Sequence, residues 1–178
     1  MIFLTVGTQF PFDRLVEAVD CAVATGGLSE DVFAQVGQGG FRPSHMQWCE
    51  TLKRDAFGEC VSRARALIGH AGIGTIFAAI DARRPLLVMP RLSRYGEIVN
   101  DHQVSTARKF AEMGHVLMAR DETEIPQCLR LLDSFVPRPR TPRPEGVVER
   151  VRDFLDEVSV QRQGRAGNKA RGRLVRHG

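Results

Sequence analysis

Residues 69–75 read GHAGIGT, set between the apolar run ALI at 66–68 and the run IFAAI at 76–80. The pattern predicts a buried strand, a glycine-bearing turn and a helix. Glycine loses more backbone freedom on folding than any other residue, so three of them in seven positions call for a compensating role. A helix opening near Gly74 and Thr75 has unpaired N–H groups and a partial positive charge in its first turn. Glycines let a phosphate approach that backbone, and His70 can donate to the same anion. A diphosphate is one natural occupant; the other reading is a tight turn with close helix-on-sheet packing, capped by His70.

Outward from this turn the chain alternates strands and helices. MIFLTV at 1–6 is an apolar run ended by GTQ, and the stretch 12–24 places Phe12, Leu15, Val16, Val19 and Val23 at helical spacing before TGG closes it. DVFAQV at 31–36 is the next strand, MQWCETL at 46–52 is ambiguous, and FGECVSRARA predicts a helix leading into ALIG. LLVMP at 86–90 is a continuous apolar run of the kind buried on both faces of a parallel sheet. A helix over 101–114, the strand HVLMA and the helix EIPQCLRLLDSF complete the body. This alternation predicts an α/β fold with an open, doubly wound, mostly parallel, Rossmann-like sheet.

The domain itself is expected over 1–135. A Pro/Arg-rich linker follows over 136–146, where PRPRTPRP can neither pair in a sheet nor continue a helix. Beyond it Val147, Val151, Phe154, Leu155 and Val158 fall on one stripe, predicting a docking helix over 147–159. Such a helix of about three turns is marginal alone in water, so its apolar face needs a surface to cover it.

The formal charge of +4 conceals an asymmetry. The tail from 160 to 178 carries Arg162, Arg165, Lys169, Arg171, Arg173 and Arg176 without an acid, and the rest of the chain has 19 basic residues against 21 acidic ones. The basic character belongs to a tail expected to be disordered, and the body carries no nucleic-acid recognition motif, so no nucleic-acid partner is expected. Cysteines 21, 49, 60 and 128 show neither C-x-x-C nor metal-ligand spacing, so no metal site or disulfide framework is indicated. No segment approaches the roughly 18 apolar residues of a membrane span, and the N-terminus lacks the marks of a signal peptide. A cytoplasmic protein is expected.

In an open α/β sheet, ligands bind beyond the carboxyl ends of the strands. Three features fall there: Gly7, Thr8 and Gln9 after the first strand; His70, Gly72, Gly74 and Thr75 after the ALI strand; and the loop 91–103 after LLVMP. The last contains GEIVNDHQ, in which Asn100 or Asp101 can cap the next helix while Glu97, His102 and Gln103 can bond sugar hydroxyls or simply face water. The chain lacks G-x-x-x-x-G-K-[ST], which excludes a P-loop. The turn at 7–9 also lacks the dinucleotide fingerprint.

Taken in order, FLTVGTQFPFDRLVEAV, ARALIGHAGIGT, RRPLLVMPR and GEIVNDHQ resemble the donor-binding half of a GT-B glycosyltransferase. The resemblance is closest to family 28 C-terminal-domain proteins that exist as separate small subunits. These are the donor subunit of the dolichol-linked chitobiose transferase and the small subunit of two-component bacterial exopolysaccharide glycosyltransferases. It covers roughly residues 1–130, and the wording of the last two motifs is most like the exopolysaccharide branch.

The resemblance implies a subunit that binds a UDP-sugar, with no cofactor. A membrane-attached partner would present a lipid-linked glycan acceptor, hold the pair at the inner face of the membrane, and supply the catalytic base. A hexosyl or uronosyl residue would be transferred. By motif, Gly7, Thr8, Gln9, His70, Gly72, Gly74 and Thr75 would face the diphosphate. Glu97, Asp101, His102 and Gln103 would face the sugar, with Arg91 nearby. One departure stands out: many relatives carry a glutamate for the ribose where this chain has Ala78. That absence motivates an alternative, a non-catalytic nucleotide-binding or scaffold subunit that stabilises a membrane-bound partner. A complete epimerase-like enzyme is a third reading, disfavoured because a GT-B enzyme needs two such domains.

Overall fold

The computed structural model describes residues 1–139. The docking helix expected over 147–159 and the tail 160–178 lie outside the described residues, as does the linker beyond 139.

Six parallel strands form one sheet: β1 (Ile2–Thr5), β2 (Val32–Gln35), β3 (Gln47–Cys49), β4 (Ala66–His70), β5 (Leu86–Met89) and β6 (Leu117–Met118). Their spatial order is β3-β2-β1-β4-β5-β6. The chain winds outward from β1 to one edge, then returns to the other side of β1 and winds to the opposite edge. The order therefore reverses between β1 and β4, where Ile2 pairs with Ala66 and Thr5 with Gly69. This is the switch point at which doubly wound sheets leave a crevice.

Alternation along β1 explains the two layers, because successive side chains of a strand point to opposite faces. Ile2, Leu4 and Val6 pack with Leu15, Val16 and Val19 of α1 (Asp13–Ala24) and with Leu129 and Leu132 of α5 (Ile125–Leu132). Phe3 points the other way, among Val61 of α2 (Arg54–Arg63), Ile76 and Ile80 of α3 (Ile73–Asp81), and Ala107 of α4 (His102–Glu112). With helices on both faces the central strands read as unbroken apolar runs, and all four residues of β1 and of β5 are buried.

Three local readings are made definite. The ambiguous span 46–52 contains the short edge strand β3. Helix α2 begins at Arg54, three residues before the apolar pattern becomes visible at Phe57, with Lys53 extended as its N-cap and Asp55 in the first turn, where a negative charge suits the helix dipole. Helix α3 begins at Ile73, with Gly72 as its N-cap. The chain after α5 also returns to the body: Arg138 N–H donates to the Gly114 carbonyl at 2.8 Å, and His115 Nδ1 lies 2.8 Å from the Arg138 carbonyl.

Phe3 is fully buried, stacked with Phe33 and edge-on to Phe57. Phe3→Ala is expected to cost about 3–5 kcal/mol of unfolding free energy. Urea denaturation checks this, and a loss below about 1 kcal/mol would contradict the packing described.

Candidate functional site

The loops leaving β1, β4 and β5 enclose a cavity of about 850 Å³ at the carboxyl edge of the sheet. Its floor is the switch point. There Thr5 Oγ1 donates to Gln35 Oε1 at 2.6 Å, and Gln35 Nε2 donates to the carbonyls of Gly7 at 2.8 Å and Glu50 at 3.2 Å. Gly7 N–H turns back to Thr5 Oγ1 at 3.3 Å. These bonds satisfy buried polar groups and hold the turn after β1 in its left-handed conformation, with Gly7 at φ +79°.

The glycines of GHAGIGT divide into different roles. A Cβ on Gly69 would lie 2.9 Å from the Thr5 carbonyl oxygen, so this residue permits the close pairing of β4 with β1. A Cβ on Gly72 would fall 2.2 Å from His70 Nε2, and one on Gly7 would fall 2.7 Å from His70 Cε1. The imidazole thus lies between two stretches of bare backbone, one from each side of the switch point. At Gly74 a Cβ would meet nothing within 4 Å, and the residue lines the cavity. Gly74 therefore borders open space in the first turn of α3, whereas Gly72 makes room for the imidazole.

His70 Nδ1 is buried and has no hydrogen-bond partner among the described residues. Burial and the neighbouring Arg91 guanidinium push the imidazole pKa down to about 4, offset only in part by the backbone of Thr5. The ring is therefore neutral at physiological pH. Its protonation is more favourable in the unfolded chain, so this stability term is complete above about pH 6.5 and is lost as pH falls toward 4.

Arg91 is 3% exposed, and its terminal nitrogens donate to the carbonyls of Val6, Phe10 and Pro11 at 2.6–2.7 Å. Burial lowers its pKa to about 10, against the pull of Glu97 and Asp13, which leaves it charged at neutral pH. Gln103 is buried in the first turn of α4, where its Oε1 accepts from Arg91 N–H at 3.2 Å.

Ten of the twelve residues singled out from sequence line the cavity: Gly7, Thr8, Gln9, His70, Gly72, Gly74, Thr75, Arg91, His102 and Gln103. Glu97 and Asp101 do not. Glu97 makes a two-pronged ion pair with Arg14 and accepts from Leu92 N–H at 2.8 Å. Asp101 Oδ1 accepts from Ser93 N–H at 2.7 Å, while Asn100 Oδ1 takes the His102 N–H at 3.2 Å. Among the described residues no group of His, Cys, Asp and Glu is arranged to hold a metal ion, and no helix is long and apolar enough to cross a membrane.

The model of the glycosyltransferase family 28 C-terminal domain matches residues 1–158. The chain belongs to this family. Its relatives include the "UDP-N-acetylglucosamine transferase subunit ALG13" of Yarrowia lipolytica, 24% identical over 166 residues that cover 85% of this chain and 82% of that protein. The mouse protein of the same name is 29% identical over 123 residues, 64% of this chain, which spans only 10% of the mouse protein's length. Among solved structures, the solution structure of ALG13 superposes with a TM-score of 0.56 at 21% identity, covering 81% of this chain and 91% of that one. The calicheamicin glycosyltransferase CalG4 gives 0.53 at 18% identity, with 98% of this chain matching 42% of that one. The fold is that of one half of a GT-B glycosyltransferase.

Within this family 28 domain, sequence reading missed one wall of the cavity. Gln35, Leu52, Arg54 and Phe57 line it from the β2 side. Only Gln35 left a usable signal, as a polar residue ending a strand beside β1. Ala78 is absent from the lining and packs against the core below α3.

Two predictions follow from the imidazole's position. Gly72→Ala should destabilise by about 1–3 kcal/mol through overpacking against His70. Gly74→Ala, in a helix with free space around it, should be neutral or stabilising by up to about 1 kcal/mol. Chemical denaturation would contradict the assignment if the two variants ranked in the opposite order. Separately, the stability difference between wild type and His70→Gln should shrink by about 2–3 kcal/mol between pH 7 and pH 4. A difference that does not change with pH would show that His70 is not buried in its neutral form.

Proposed function

We propose that this domain is the donor-binding subunit of a two-component glycosyltransferase that uses a UDP-sugar and a lipid-linked glycan acceptor. The observation that carries the reading is the pairing of the open first turn of α3 with the switch-point cavity. Gly74 leaves backbone N–H groups free to meet a diphosphate, and the helix dipole favours its charge. Arg91 adds a fixed positive charge nearby. Leu52 and Phe57 offer an apolar wall on which a base can lie, with Gln35 and Arg54 beside it. The family membership and the names of the ALG13 relatives support the same assignment.

In this reading Gly7, Thr8, Gln9, Gly74 and Thr75 face the diphosphate, and His102 and Gln103 face the sugar. Charge developing on the departing UDP is stabilised by donors already in place, which requires no reorganisation during reaction. His70, being neutral, contributes a single N–H or a lone pair rather than a charge, so the electrostatic share falls to α3 and Arg91. The acceptor hydroxyl loses its proton to a base on a membrane-attached partner, and displacement inverts the anomeric carbon. An exopolysaccharide or related glycan is the product class.

Ala78 favours a second reading, in which the domain binds nucleotide weakly or not at all and serves to stabilise its partner. Saturation-transfer NMR with UDP, ADP and NAD separates the two. UDP should saturate the wild-type chain in preference to ADP and NAD, and Gly74→Val should abolish that signal while the fold is retained. Equal signals from wild type and Gly74→Val would remove the diphosphate from α3. No UDP signal, even from the pair co-purified with its partner, would favour the stabilising role.

A further inference from the structure

We infer that Arg14 and Arg91 form a reciprocal lock that fixes the two loops bounding the cavity against each other, and that both act as positioning residues for the nucleotide. Each arginine belongs to one side and grips the other. Arg91, from the loop after β5, donates to the Val6, Phe10 and Pro11 carbonyls of the loop after β1. Arg14, from α1 just after that first loop, donates to Glu97 Oε1 at 2.8 Å and Oε2 at 2.9 Å in the loop after β5, and to the Pro90 carbonyl at 3.4 Å. A third prong reaches Glu122 at 2.7 Å.

Fully buried Phe12 joins the two halves. Its ring centroid lies 5.4 Å from the Arg14 guanidinium carbon and 4.8 Å from that of Arg91. Tyr95 covers Arg14 from its own loop at 4.7 Å. Glu97 closes the circuit: its side chain holds Arg14 and Leu92 N–H, and its carbonyl lies 3.4 Å from Arg91 Nη1.

The chemistry requires arginine in both places. Arg91 serves three carbonyls from a planar fork, and Arg14 bridges two carboxylates. A lysine ammonium keeps the charge but cannot reproduce either geometry. Arg91 is also buried without a carboxylate at hydrogen-bond distance among the described residues, so its donors are met by the carbonyls of the neighbouring loop. Its carbonyl partners are the backbone that carries Gly7, Thr8 and Gln9. Glu97, expected from sequence to meet the sugar, is committed to holding the wall formed by Ile98, Val99 and Asn100.

The nucleotide part of this inference rests on the donor-site reading; the lock itself does not. Amide hydrogen exchange of the unliganded chain therefore comes first, with wild type, Arg14→Lys, Arg91→Lys and Glu97→Gln. Each substitution should speed exchange in both 6–11 and 92–100 while the amides of β1 and β4 stay protected. UDP binding should weaken about tenfold in each lysine variant, and the double variant should be no worse than the weaker single. Faster exchange confined to the substituted residue's own loop, or additive losses of affinity, would overturn the lock. If a lysine variant fails to fold, Glu97→Gln, which keeps the volume while removing the charge and one of the two carboxylate acceptors, decides by the same exchange pattern. If wild type binds no UDP, the donor reading fails while the exchange data still judge the lock.

Discussion

The packing of one imidazole against bare backbone organises this molecule. His70 ends β4 and lies between Gly7, which opens the turn after β1, and Gly72, which caps α3. A side chain on either glycine would collide with the ring. Gly69, itself bare, lets the two central strands approach at Thr5, and α3 starts directly at the carboxyl edge of the sheet. The close fit of the turn after β1 and the start of α3 around the ring depends on that contact.

From this contact the site is built in layers. Beneath it, Thr5 and Gln35 satisfy the buried polar groups of the strand ends. Beside it, Arg91 spends its donors on the loop after β1, and Arg14 returns the grip through Glu97. The result is a cavity whose walls are held by hydrogen bonds and two buried or half-buried cations. Preformed walls reduce the ordering cost of binding, and donors fixed in advance are those that can stabilise developing charge.

The sheet was legible in the sequence because a strand covered on both faces is an unbroken apolar run, as LLVM is, and because each helix carries one apolar stripe. The three loops of the site were legible because a parallel sheet places them at one edge. What escaped reading was partner choice. Glu97 and Asp101 have the chemistry to bind hydroxyls, yet Arg14, 83 residues from Glu97, and Ser93 take them up. That Gly72 also makes room for the imidazole could not be read from the sequence. The start of α2, with Leu52, Arg54 and Phe57 facing the cavity, was hidden because Lys53 caps the helix without a side-chain signature.

The most direct test of the central claim is titration of the ¹⁵N-labelled chain with UDP, following backbone amides. The account predicts that the largest shifts fall on Gly7 to Gln9 and on Gly72 to Thr75, the two segments that flank His70, with smaller changes at Gln35 and Arg54. Shifts centred elsewhere, for example on β6 and α5, or no shifts by the chain in complex with the proposed partner, would contradict it.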